Sequence, residues 1–535
     1  MAEKISVKEK ISYALGDGAA NIAWRGVSTF LFIFYTDVFG IDPVSVGLLM
    51  LVARSFDGIS DVAMGVLGDR FRTKYGKFRP WILWTAIPLA LILSLLFTTP
   101  DFTQNGKIVY AYITYILFTL IYTANNVPYG ALMAVMTGDD KERTSLGSYR
   151  MAGAFIGGML VQGSLLYLVI YFGNVNPTVA IQPVTDSEAY MVTISAEKDV
   201  SSARINLVDG VGSISWYSDP ESQYEAGSSL SFGLNANEEY TFLVVGLNEL
   251  EVDDLSVINQ QTGYSNAIYV LSIFLALLMI LTFLGTNERV FPDVNQKFDL
   301  KEDLKQLIRN KPWAVLLGIG LIFNVYNSIK QGVVVIYFAH FLDKEILAAT
   351  YMVVLMIASI GGALLVSPLG KKFGKKKLFI YALIFSGTVG SFLLFLGPEN
   401  ITAIFIIGAL SELASAMLPT LFFVMLGDAA DYSEWKNNRR ATGLVYSAGS
   451  LATKFGGGIG GAIIGFVLAY FGYNGMEPST IEAAKPGIVW LISWIPAIIA
   501  FSGAALMLIY PLDAEKMKVI TTQLEANRKL STVNN

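Results

Sequence analysis

The chain has 535 residues, of which 53% are hydrophobic and only 15% charged, with a mean hydropathy of +0.52 and a formal net charge of −5. Cysteine is absent, which excludes disulfides, thiolate catalysis and cysteine metal sites. A single histidine, His340 at a helix end, reads as an interface residue, and neither a Ser-His-Asp arrangement nor a histidine metal cluster can be assembled around it.

Long apolar runs define a membrane protein, because a hydrocarbon core about 30 Å thick requires about 20 apolar residues per helix. Twelve spans are predicted near 10–39, 43–67, 80–99, 107–136, 144–173, 264–286, 312–341, 346–369, 377–397, 401–430, 440–473 and 486–511. The first lacks a short apolar region followed by a small-residue cleavage site, so it is read as a retained helix with the mature chain starting near Met1.

Span 2 contains the most informative residues. Asp57 and Asp61 lie one helical turn apart, and a charge in mid-bilayer costs roughly 2.5–3.5 kcal/mol even on the lenient insertion scale. Two neighbouring acids therefore need a cation. Arg54 shares their face and is one candidate for a purely structural pair, whereas intramembrane acids more often mark ion or proton pathways.

Basic residues collect on alternate connections. Arg70, Arg72, Lys74, Lys77 and Arg79 follow span 2, Lys141 and Arg143 follow span 4, and Lys371, Lys372, Lys375, Lys376 and Lys377 follow span 8. By the positive-inside rule these face the cytoplasm, as do both termini, and the span count is even. The loops at 68–79 and 370–377 echo one another, which suggests two halves of six helices around a midplane site. Residues 1–173 and helix 6 (266–286) would form the first half, 287–311 a charged cytoplasmic linker, 312–511 the second half and 512–535 a cytoplasmic tail.

Between spans 5 and 6, residues 174–265 differ in character. From Gly173 to Ser265 there are 14 acidic and 2 basic residues, leaving +7 on the remainder of the chain. Alternating runs such as Tyr190-Met-Val-Thr-Ile-Ser-Ala and Glu239-Tyr-Thr-Phe-Leu-Val-Val, with turns at Asp209-Gly and Ser218-Asp-Pro, predict a small β-rich extracytoplasmic domain. It would bind a glycan or partner, or simply cap the outer mouth.

Several ordered motifs carry a family resemblance: Ile11-Ser-Tyr-Ala-Leu-Gly-Asp17-Gly-Ala-Ala-Asn21, Phe34-Tyr-Thr-Asp-Val-Phe-Gly, Leu51-Val-Ala-Arg-Ser-Phe-Asp57, Gly76-Lys-Phe-Arg-Pro-Trp, Tyr122-Thr-Ala-Asn-Asn126-Val-Pro-Tyr-Gly130, Tyr149-Arg150 and Gly427-Asp428-Ala-Ala-Asp431-Tyr-Ser-Glu434-Trp435. Together they resemble the glycoside-pentoside-hexuronide:cation symporter family of the major facilitator superfamily. The resemblance spans all twelve helices and omits the insert. It implies an all-α major facilitator fold and cation-coupled sugar symport by alternating access, with no enzymatic activity, no cofactor and no nucleic-acid partner. The expected setting is the inner membrane and the expected state a monomer.

Carried over residue by residue, the resemblance implies a cation site at Asp57, Asp61, Thr123 and Asn126. The family's helix 4 acid is an amide here, which can still ligate a hard cation. The intact Asp57/Asp61 pair favours Na⁺, with H⁺ as the alternative. Implied sugar contacts are Asp17, with Asn21 in the same motif, Asn126, Arg150 and Lys454. The family's helix 4 tryptophan is Gly130, so Trp24 and Tyr129 are the candidate replacement platforms. Arg25, Arg150, Lys330 and Lys454 exceed the nearby acids, which suits an acidic sugar; alternatively, Arg25 or Lys330 pairs with Glu412, Asp428 or Asp431. Asp428, Asp431 and Glu434, with Arg439 and Arg440, are expected to form gate salt bridges. A lipid or lysolipid carrier and a non-transporting sugar sensor are the readings from other classes.

Overall fold

The computed structural model describes residues 5–70, 73–137, 139–184, 189–207, 213–216, 225–226, 229–246, 250–289, 310–437 and 442–533. Most of the predicted linker, Arg439, Arg440 and the turns at Asp209-Gly and Ser218-Asp-Pro lie outside them.

Helices dominate because a segment in lipid must satisfy its backbone internally. The first half comprises α1 (Val7–Ile33), α2 (Pro43–Arg70), α3 (Arg79–Leu96), α4 (Gln104–Met136), α5 (Asp140–Gly173) and α6 (Gln260–Gly285). The second comprises α7 (Lys311–Ile336), α8 (Leu347–Phe373), α9 (Lys375–Ser391), α10 (Ile401–Ser415), α11 (Met417–Asn437), α12 (Thr442–Tyr470), α13 (Pro478–Ile492) and α14 (Trp494–Leu508), followed by α15 (Ala514–Val533). Among the described residues, ten helices are long and apolar enough to cross a membrane, so this is a multi-pass membrane protein. Predicted span 10 is divided at Ala416 into α10 and α11. Span 12 is divided at Ser493 into α13 and α14.

Side chains set several helix starts. Ser6 accepts from the Glu9 amide at 3.2 Å to cap α1, and Asn310 accepts from the Trp313 amide at 3.1 Å to cap α7. Asn259 accepts from the Thr262 amide at 3.1 Å, so α6 begins at Gln260, earlier than the sequence pattern suggested.

The two halves share a structural signature at corresponding places. Both α1 and α7 end in a π-helical turn, Phe34–Val38 and Tyr337–Phe341. Each turn is followed by a left-handed residue, Gly40 at φ +74° and Asp343 at φ +53°. Equivalent backbone bonds close each turn, Ile41 amide to Tyr35 carbonyl and Lys344 amide to Phe338 carbonyl, both at 2.8 Å. The repeat brings these ends together at the insert end of the bundle. There α2 crosses α12 so closely that a Cβ on Gly465 would sit 2.2 Å from the Pro43 carbonyl oxygen.

Within the insert, β1 (Asn174–Val175), β9 (Leu255–Asn259), β4 (Val200–Leu207) and β7 (Ser229–Leu234) form one antiparallel sheet in that order. The second runs β2 (Thr178–Pro183), β3 (Ala189–Ser195), β8 (Glu239–Val245), β5 (Ser213–Trp216) and β6 (Glu225–Ala226). Ile194 and Phe242 of one sheet share a core with Ile205 and Val257 of the other. Since β1 continues α5 and β9 runs directly into α6, the first sheet is continuous with the first half.

At the opposite end, Glu288 closes the start of α3 by accepting from the Lys77, Phe78 and Arg79 amides at 2.8, 2.7 and 3.0 Å. A carboxylate is favoured there by the helix dipole. Gly76, at φ +115°, has no room for a side chain, since its Cβ would lie 2.6 Å from the Glu288 carboxylate. Gly76→Ala is expected to cost about 1–3 kcal/mol through backbone strain alone, read as a lower melting temperature in detergent. An unchanged melting temperature would show that this cap contributes nothing.

Candidate ion and substrate sites

Asp57 is 1% exposed on α2, and the ammonium of Lys454 on α12 reaches it from the other half. Lys454 Nζ lies 2.9 Å from Asp57 Oδ1 and 2.6 Å from Asp61 Oδ2, bridging both carboxylates. Thr123 Oγ1 on α4 donates toward Asp57 Oδ1 at 2.9 Å and lies 3.3 Å from Asp61 Oδ1. Ser60 Oγ is 3.2 Å from the same hydroxyl. Of the four residues expected at a cation site, Asp57, Asp61 and Thr123 are brought together. The Asn126 side chain makes no hydrogen bond among the described residues; its neighbour Asn125 is the buried amide, donating to Thr85 at 2.7 Å.

Arg54 approaches Asp57 only to 4.0 Å and instead lies over the Trp24 ring at 3.8 Å from its centroid. The structural partner of the acids is thus Lys454, a residue placed among the sugar contacts by resemblance. Two anions and two cations balance locally. Asp57 Oδ2 has no hydrogen-bond partner and faces the Arg54 guanidinium at 4.0 Å, beyond hydrogen-bond range.

Asp17 on α1 pairs with Arg150 on α5, Nε to Oδ2 at 3.3 Å. Asn21 donates back to the Asp17 carbonyl at 2.9 Å, which leaves its amide oxygen available. Tyr129 departs from the expectation of a sugar platform. It is fully buried, stacked on Tyr13 at 4.8 Å and bonded to the Tyr13 carbonyl at 2.6 Å. Trp24, stacked on Tyr122 at 5.4 Å, does reach a cavity.

That cavity lies between α1 and α2 on one side and α7 and α12 on the other, with about 560 Å³ of empty space including open solvent. Trp24 and Arg54 line one side, and Asn324, Asn327, Gln331, Thr453 and Lys454 the other. The amides on α7 recur at spacings of three and four, so they form one polar stripe along a largely apolar helix, a pattern legible in sequence. Gln331 also lines a second cavity, of about 750 Å³ on the same measure, which holds Arg25, Lys330 and Glu412. Lys330 donates to Glu412 at 3.0 Å, and Ser359 holds the other Glu412 oxygen at 2.9 Å. Lys330 is therefore neutralised within its own half. Arg25 forms no ion pair among the described residues.

Of the expected gate residues, Asp428 pairs with Lys375 at 2.7 Å, both from the second half. It is an intra-half staple in this arrangement rather than a bridge. A further bridge across the halves lies at the insert end, where sequence reading assigned only an interface role to His340. His340 Nε2 meets Asp37 Oδ2 at 2.5 Å across 303 residues of sequence, and Tyr473 donates to Asp37 Oδ1 at 2.7 Å.

Paired membrane-buried charges spanning two repeated helical halves, beside a polar cavity, define a secondary transporter rather than an enzyme. The chain belongs to the family described as MFS/sugar transport protein, whose pattern matches residues 12–196 and 239–514. It is 30% identical over 534 residues to the inner membrane symporter YicJ of Escherichia coli, covering 99% of this chain and 97% of that one. It is 29% identical to the putative glycoside/cation symporter YagG of the same organism, covering 98% and 96%. Among solved structures, a bacterial homologue of the human lysosomal transporter Spinster superposes with a TM-score of 0.63 at 11% identity, covering 95% of this chain and 98% of that one.

Removing one partner from a buried ion pair typically costs about 3–5 kcal/mol. Lys454→Ala is therefore expected to lower the melting temperature markedly, and adding Asp57→Asn should recover most of the loss. A double variant as unstable as Lys454→Ala alone would refute the coupling between these residues.

Proposed function

We propose that the protein is a cation-coupled sugar symporter of the inner membrane. It would carry a glycoside or acidic sugar inward, with Na⁺ as the favoured coupling ion and H⁺ as the alternative. The observation that carries this reading is the Lys454 ammonium seated between Asp57 and Asp61. A tethered cation holds the place that a mobile cation needs. Binding of Na⁺, or protonation, would displace Lys454 into the adjoining cavity, where an ammonium meets sugar hydroxyls. Coupling of this kind is reciprocal, so each ligand tightens the other.

Twelve spans, with both termini and the basic loops cytoplasmic and the insert outside, are the topology that goes with this reading. Asp17, Asn21, Arg150, Trp24 and Lys454 supply candidate sugar contacts. The amide stripe of Asn324, Asn327 and Gln331 favours a polyhydroxylated substrate over a lipid, which would leave those groups unpaired. Arg25 supplies the surplus positive charge that a monoanionic sugar would offset.

The test is uptake into proteoliposomes of neutral glycosides and uronates under an inward Na⁺ gradient, an inward H⁺ gradient, or neither. Accumulation should follow one cation, and Asp57→Asn or Asp61→Asn should abolish gradient-driven accumulation in correctly inserted protein. Normal cation dependence in those variants would sink the assignment. In the same panel, Arg25→Gln should reduce uronate uptake at least about tenfold, the effect of losing about 1.4 kcal/mol, while sparing neutral sugars. Equal losses for both classes would remove Arg25 from substrate discrimination.

A further inference from the structure

Arg204 is a charged residue buried where solvent would ordinarily take it. It sits on β4, is 3% exposed, and is one of only two basic residues in an insert that carries 14 acids. The other, Lys198, is exposed. A buried guanidinium costs several kcal/mol unless it is paired, and two acceptors for this one come from outside the insert. Arg204 Nη1 lies 2.6 Å from Glu345 Oε2, and Nη2 donates to the Ala339 carbonyl at 3.3 Å. Both acceptors belong to the second half, at the π turn ending α7 and the connection to α8. The insert itself is fixed to the first half, through β1 on α5 and β9 on α6, and Ser202 beside Arg204 on β4 donates to Gln260 of α6 at 2.9 Å.

We infer that Arg204 makes the insert part of the outer gate, a clasp that fastens the first half to the second when the outer side is closed. Resting on the alternating-access reading above, this inference goes beyond it by assigning a role to the insert. The same π turn carries His340, whose bond to Asp37 joins the two halves just beside the clasp. Separating the halves on this side must break both contacts together. Re-solvation of Arg204 and Glu345 then returns much of what their burial cost, so the clasp can open reversibly. The family pattern passes over 197–238, the stretch containing β4, whereas Glu345 lies inside it. The clasp is thus an addition to the shared scaffold, and Arg204 a positioning residue that never touches substrate.

Because the chain has no cysteine, the test is direct. Ser28→Cys, in the cavity wall, is labelled with a membrane-impermeant maleimide from the outer side of sealed vesicles. Arg204→Ala and Glu345→Gln should each raise the labelling rate roughly fivefold or more, the lower end of typical coupling effects. Arg204→Lys should change it less, and the exchange Arg204→Glu with Glu345→Arg should restore slow labelling. Unchanged labelling in the single variants would overturn the clasp. So would fast labelling in the exchanged pair, since that would indicate general damage to the insert. Labelling does not depend on transport, so a failed symport assay and a failed clasp are separately visible.

Discussion

Everything in this bundle turns on how charge is kept inside a low-dielectric layer. Asp57, Asp61, Lys454 and Arg54 would each be costly alone in mid-bilayer. Together they balance, and the ammonium that balances them comes from the opposite half. The neutralising contact and the interface between halves are therefore one object. The close crossing of α2 and α12, which Gly465 permits, brings Lys454 within reach. A transporter built this way cannot change the protonation or ion occupancy of its acids without changing the attraction between its halves.

The internal repeat explains why the other ionic contacts fall where they do. One backbone device, a π turn followed by a left-handed residue, ends both α1 and α7. Such turns are rare in helices and frequent at functional sites. Their side chains have diverged into complementary partners, Asp37 and His340, so a repeated scaffold becomes a closing contact. Deeper in the bundle the halves also differ chemically. The first carries two acids and borrows its cation, whereas the second neutralises Lys330 internally with Glu412. Among the described residues, the first half holds an acid pair bridged by a cation from the other half, which is the ground for proposing the coupling ion there.

The insert gains its importance from mechanical continuity. A domain hung on flexible linkers would report little about the helices beneath it. Here β1 and β9 are extensions of α5 and α6, so the sheet moves with the first half while Arg204 reaches the second. Its strong acidity keeps the remaining surface solvated and leaves Arg204 as its buried cation directed at the bundle.

Sequence by itself determined the membrane class, the approximate positions of the spans, the break in pattern at the insert and the special standing of Asp57 and Asp61. Those features are local: apolar length, alternation and an acid pair at helical spacing can be read without knowing any partner. The motif resemblance also grouped Thr123 with the acids and Asp17 with Arg150, residues that lie in contact in the fold. Tertiary structure decided the pairings, because contacts such as Asp57 with Lys454, Lys330 with Glu412, Asp37 with His340 and Arg204 with Glu345 join segments far apart in the chain. No periodicity encodes which distant cation will meet which acid. The same reason places Tyr129 in packing against Tyr13 and pairs Asp428 with Lys375.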